Sequence, residues 1–142
     1  QGWEIAMSLL AIERGPADIG WISRFRRTAL ALLATPETAA RTDVQRAAAW
    51  IEALDATVAV TLSERCAGTF DVTTGSIDKL LMTKVDQLLH AAALQSNPTA
   101  LLEPTSDELE RYLWARAASV FGGTSQIQRN IVAQRVLGLP RT

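Results

Sequence analysis

The sequence predicts an all-α protein, an up-and-down four-helix bundle with an additional C-terminal helix. Three observations carry the prediction. Apolar residues recur at three- and four-residue steps through long alanine- and leucine-rich runs, the spacing that lines one face of a helix. No stretch sustains the β-branched alternation of a strand. Eight Gly and five Pro punctuate the runs, which leaves helices joined by short connections, and short connections favour antiparallel neighbours. Each helix then buries its one apolar face against the others.

The first run extends from about Trp3 to Ala34, with Ile5, Leu9, Ile12, Ile19, Ile22 and Phe25 recurring along it. Gly15-Pro16 bends or breaks it, since proline removes a backbone donor. "ATPET" reads as a turn, with Thr35 before Pro36. A second helix begins at about Glu37 or Thr42, with Asp43 as its cap or a first-turn acid. Val44, Ala47, Ala48, Ile51, Leu54, Val58 and Leu62 keep one face apolar as far as Gly68. "GTFDVTTGS" is a connection. A third helix runs from about Ser76 to Gln95, turning Ile77, Leu80, Leu81, Val85, Leu88 and Leu89 inward. "SNPTALLEPTS" is a loop. Ser106 caps a fourth helix from about Asp107 to Phe121, which Gly122-Gly123 stops. Thr124 or Ser125 caps a fifth, which ends at Gly138-Leu139-Pro140 with the expected Gly-then-Pro stop.

The totals bound the function. A chain of 142 residues makes one domain with room for a core. With 48% apolar and 20% charged residues it has the balance of a soluble globular protein. A net charge of -1 offers no basic excess for nucleic acid. Cys66 is the single cysteine, so no internal disulfide forms, and a reducing, cytoplasmic setting is expected. The start has no signal-peptide pattern, and the apolar stretches are too short and too interrupted by charge to span a bilayer. It also begins without an initiator Met and is apolar-periodic from the outset, so a piece of a longer protein is expected.

Against this background the C-terminal stretch "FGGTSQIQRNIVAQRVLGLP" stands out. Gly122 and Gly123 let the backbone bend and another group approach closely. Thr124, Ser125 and Gln126 add hydroxyls, an amide side chain and backbone amides at a helix start. Read alone, the segment is either a C-cap followed by an N-cap or a ligand-facing loop.

"GGTSQIQRNIVAQRVLGLP" closely resembles the C-terminal signature of acyl-CoA dehydrogenases. "WEIAMSLLAIERG" looks like the first helix of that family's C-terminal domain. Helix number and order fit over the whole chain, residues 1–142, with the N-terminal helical and middle β domains absent. The resemblance implies an enzyme that uses FAD to convert an acyl-CoA thioester to a 2-enoyl-CoA. A carboxylate takes the α-proton, the flavin takes hydride from the β-carbon, and electrons leave to an electron-transferring flavoprotein. It also implies cofactor contacts from Gly123, Thr124, Ser125 and Gln126, and a homo- or hetero-oligomer built through the helical domain.

The chain departs from the family pattern at informative places. Many relatives carry Glu immediately before Gly-Thr-Ser, and here that position is Gly122. Some relatives instead use a Glu on the first helix of this domain, directly before an Arg. Glu13-Arg14 matches that place, so Glu13 is the expected base and Arg14 the expected substrate-binding residue. The Arg-x-x-Phe-Gly motif is missing from "SRFRRTALALLATPE"; Arg24, Arg26 and Arg27 either substitute for it or form a solvated basic face. The Gly-Gly-x-Gly loop is missing from "QSNPTALLEPTSDE". Two other readings stay open: a non-catalytic partner subunit of a heteromeric dehydrogenase, and a helical interaction module without redox chemistry.

The remaining candidates carry less. His90 is the only histidine, and the reading finds no Cys or carboxylate at a spacing that would complete a metal site, so none is expected. Cys66 lies near a helix end beside Arg65 but lacks a positioned base. Trp3, Trp21, Trp50 and Trp114 are read as core or interface aromatics.

Overall fold

The computed structural model describes residues 2–13 and 18–140, and the side chains of residues 7, 8 and 11–13 lie outside that description. Every regular element among the described residues is helical, so the all-α class holds. The order is α1 Gly2–Glu13, α2 Asp18–Leu33, α3 Pro36–Ala39, α4 Thr42–Ala67, α5 Gly75–Ser96, a 3-10 turn Pro98–Leu102, α6 Asp107–Ala117, α7 Ser125–Ile131 and a π-helical turn Val132–Val136. The expected break at Gly15-Pro16 falls outside the described residues.

The core forms where α2, α4 and α5 meet. Ile22, Phe25 and Ala29 from α2 pack with Ala47, Ile51, Leu54 and Val58 from α4 and with Val85 and Leu89 from α5. Arg41, just before α4, donates to Gln95 Oε1 near the end of α5 at 3.1 Å, so these two long helices run antiparallel. Arg26 of α2 grips Glu52 and Asp55 of α4 at 2.7 and 2.9 Å on the outer edge of the same contact.

α5 is the central element, packed against α2, α4, α6 and α7. Packed on that many sides, α5 keeps little solvent face, chiefly at Lys84 and Gln95, and several of its polar residues are buried as well. Lys79, Thr83, Asp86 and His90 are all buried. Their spacing of four, three and four residues places them in one stripe along the helix.

Local chemistry sets the helix ends. Pro36 sits in the first turn of α3, and Thr38 closes the preceding corner by donating to Leu32 O. Asp43 does not cap α4; Arg41 holds the cap position, and Asp43 pairs with its guanidinium at 2.7 Å. Gly68 ends α4 in the left-handed region at φ 72°, which lets its N–H reach Arg65 O and that of Thr69 reach Glu64 O. Ser106 Oγ accepts from Leu109 N–H, as a capping serine does.

Three expectations need correction. α6 ends at Ala117 and not near Phe121. Beyond it the chain is held to α5, Ala118 O accepting from Lys79 Nζ and Thr83 Oγ1, and is turned away by Gly122 and Gly123 at positive φ. The expected loop after α5 contains the 3-10 turn Pro98–Leu102. Finally, Trp3, Ile5, Leu9 and Ile19 are exposed, Trp3 by 77%, where their periodicity placed the last three inward. For the first three the reason is that α1 is apolar nearly all round, so periodicity alone assigns it no single buried face; Ile19, in the first turn of α2, lies off the face that buries Ile22, Phe25 and Ala29. Trp114 is likewise exposed, while Trp21 and Trp50 are half-buried against the core.

Leu54 has 0% exposure at the centre of the α2–α4–α5 contact. Leu54→Ala should therefore lower unfolding free energy by about 3 kcal/mol in chemical denaturation, as truncation of a closely packed leucine does. A loss under about 1 kcal/mol would place the core elsewhere.

Candidate active site at the diglycine turn

The turn joining α6 to α7 is built from residues that resist continued helix. Gly122 and Gly123 have φ of 63° and 95°, the left-handed region that favours glycine. Val120 and Phe121 amides both return to Ala117 O, at 2.8 and 3.0 Å. Beneath them lies Lys79, whose Nζ stands 4.7 Å from the centre of the Phe121 ring. It also donates to Thr83 Oγ1 at 3.0 Å. Gln128 of α7, fully buried, donates from Nε2 to Gly122 O at 3.0 Å, and its Oε1 has no hydrogen-bond partner.

The start of α7 is largely satisfied from within. Thr124 caps it, its Oγ1 accepting from Ile127 N–H at 3.3 Å and its carbonyl from Gln128 N–H at 2.9 Å. Ser125 N–H donates back to Ser119 O at 2.9 Å. The sequence suggests several free amides here, but those of Ser125, Ile127 and Gln128 are engaged. The groups that could still meet a ligand include the Thr124 hydroxyl hydrogen, which a hydroxyl keeps when it accepts, and the exposed side chain of Gln126.

A family model for "Acyl-CoA dehydrogenase, C-terminal domain" matches residues 1–137. The chain belongs to the acyl-CoA dehydrogenase family. Two curated relatives share its sequence over 99% of its length: "Acyl-CoA dehydrogenase IpdE1" of Mycolicibacterium smegmatis at 32% identity, and the protein of the same name of Mycobacterium tuberculosis at 30%. The chain spans 37% and 39% of those two proteins.

Against the family pattern, the described residues place the sequence-derived candidates unevenly. Gly123, Thr124, Ser125 and Gln126 lie together at the turn. Glu13 closes α1, but its side chain, like all of Arg14, lies outside the described residues. Arg26 is engaged in the α2–α4 contact, and Arg24 stacks on Trp21 at 4.6 Å. Cys66 is exposed, with the Arg65 guanidinium turned onto Phe70 at 3.7 Å.

One polar pair escaped the sequence reading. His90 Nε2 lies 3.3 Å from Asp86 Oδ1, and both side chains are buried. They line a cavity of about 780 Å³ between α2, α5 and α6, with Trp21, Arg24, Arg111 and Trp114 around it. The signal was present in the sequence: Asp86 stands four residues before His90, a helical neighbour, where no carboxylate at ligand spacing is expected. No group of three metal-binding side chains occurs among the described residues. Nor is any helix there long and apolar enough to cross a membrane.

Burial raises the Asp86 carboxyl to about 6, opposed by Arg116, Arg24 and Lys79. Burial also lowers His90 to about 4, helped by Arg111, Arg24 and Arg116. The two shifts act oppositely on stability. The raised Asp86 contributes stability that is full below 3.8 and lost as pH rises through about 6. The lowered His90 contributes stability that is full above 6.5 and lost as pH falls through about 4. Between pH 4 and 6 the pair binds one proton in both states, so the two slopes cancel and the combined contribution stays flat. Asp86→Asn removes the first effect and keeps the second. Relative to the parent, that variant should lose stability steadily as pH falls from 6.5 toward 4, measured by thermal melts across that range. Parallel pH profiles would show that His90 does not titrate as its burial demands.

Proposed function

We propose that this chain is the C-terminal helical domain of an FAD-dependent acyl-CoA dehydrogenase, with Glu13 as the base that takes the α-proton of an acyl-CoA thioester. One observation carries the choice of base. The α6–α7 connection, residues 118–124, reads Ala-Ser-Val-Phe-Gly-Gly-Thr and holds no carboxylate. The proton acceptor then comes from the end of α1, where Glu13 precedes Arg14. A thioester α-proton is only weakly acidic. The role asks of Glu13 a place close to the α-carbon, desolvated enough to raise its proton affinity. Arg14 is the proposed substrate-binding residue by the same resemblance.

The turn's donor set fits a flavin. A ring edge rich in carbonyl oxygen and nitrogen needs a few fixed donors and close backbone approach. The Thr124 hydroxyl hydrogen, the exposed Gln126 amide and the bare backbone of Gly123 offer these, with Ser125 flanking them. Bound FAD would supply the hydride acceptor for the β-carbon and pass electrons to an electron-transferring flavoprotein. Thr124 and Gln126 orient the ring, and Glu13 holds the proton at its carboxylate once the 2-enoyl-CoA has formed.

A second reading, a non-catalytic partner subunit in a heteromeric enzyme, has its own support. Both the Arg-x-x-Phe-Gly and the Gly-Gly-x-Gly segments are missing, and Arg41, four residues past the first region, donates to Gln95 Oε1 and Gln95 O at the start of the second. A side-chain clasp replaces an open glycine loop at that edge.

Glu13→Gln in the intact polypeptide is expected to abolish exchange of the substrate α-proton while flavin content stays unchanged. Near-normal turnover in that variant removes Glu13 from the role. The visible spectrum decides between the readings. Yellow protein purified alone, bleached by acyl-CoA, supports the enzyme. Colour that appears only on co-purification with a second subunit supports the partner role.

A further inference from the structure

We infer that Lys79 is the positioning residue of the diglycine turn and that its ammonium favours the ionised form of any acidic group placed at position 122. The side chain is buried, with 6% exposure, and reaches up from α5 into the α6–α7 connection. It holds that connection at two points, donating to the carbonyl of Ala118 and lying under the Phe121 ring. A Cβ built on Gly122 meets one atom within 4 Å, Lys79 Cε at 3.5 Å. Any side chain at 122 therefore starts beside the end of the lysine.

The surroundings make this charge count. Lys79 is itself buried while Gly122 above it is half-buried, so water screens the ammonium less than it would at an open surface. Of the other charges, Asp86 on α5 interacts with Lys79 and opposes it, Arg116 on α6 acts on the same acid, and Arg129 on α7 is exposed. An acid at 122 would hold its negative charge readily and take up a proton poorly. For the dehydrogenase read above, this makes the turn an unsuitable seat for the base, in keeping with Gly122. That catalytic meaning rests on the proposed function, while the electrostatic claim does not.

A thiol reports the effect directly. In Gly122→Cys, made in the intact polypeptide, the rate of iodoacetamide labelling at residue 122 is followed against pH by peptide mass spectrometry. This separates it from Cys66. The expected thiol pKa lies a unit or more below the ~8.5 of a free cysteine. Adding Lys79→Met should raise it by at least that unit, and Lys79→Arg should keep it low. An unchanged pKa in Lys79→Met, or a thiol at 8.5 or above with Lys79 present, overturns the inference. Gly122 has φ 63°, where cysteine is strained. If that variant does not fold, Phe121→Cys offers a second probe beside the same lysine, with the same expected shift and the same overturning result. The labelling needs neither flavin nor acyl-CoA, so its failure leaves the assignment of Glu13 untouched, and the reverse also holds.

Discussion

A buried ammonium must be hydrogen-bonded where it lies, and Lys79 finds its partner in the carbonyl of Ala118. That bond ties the end of α6 to α5. Helical geometry ends there as the backbone approaches Gly122 and Gly123. The chain loops through Phe121, and two glycines in the left-handed region redirect it toward Thr124. Thr124 then caps α7, and Gln128 reaches back to the carbonyl of Gly122. The turn is thus fixed from below by α5 and from behind by α7, which leaves Thr124 and Gln126 at its surface.

α5 is two-faced inside the core. Val85 and Leu89 pack with the apolar residues of α2 and α4. The stripe from Lys79 to His90 carries the polar work. Its upper part supports the diglycine turn, and its lower part forms the wall of the α2–α5–α6 cavity. Burial acts on both members of the lower pair, raising the acid and lowering the imidazole. The cost of enclosing Asp86 falls when it holds the proton, and that of His90 falls when it gives one up.

Much of the fold was legible in the residues. The apolar spacing of Val44 to Val58 marked α4, Gly68 marked its end, and Ser106 and Thr124 marked the caps they form. Part of what stayed hidden was the influence of residues distant in sequence. Lys79 binds the carbonyl just past α6 from 39 positions away, and no local rule contains that contact. α1 misled because its apolar residues surround the helix, so a face picked by spacing is arbitrary. At the site, the glycine pair and its hydroxyl neighbours were visible. Which amides Ser119 and Thr124 would consume was not, since that depends on the path of the loop. Asp86 with His90 was readable from spacing and missed because the question asked of His90 concerned metals.

The polar stripe also bears on how the chain is assembled. The first three partners of the core are complete by Ser96, whereas α6, which covers the stripe, is made afterwards. On the ribosome, the half-finished bundle would present that flank with hydroxyl, ammonium, carboxyl and imidazole groups still bonded to water. A greasy flank would invite neighbouring nascent chains to stick. A hydrated one waits for α6 at little risk of clumping, and gives up its water only when the late helix docks.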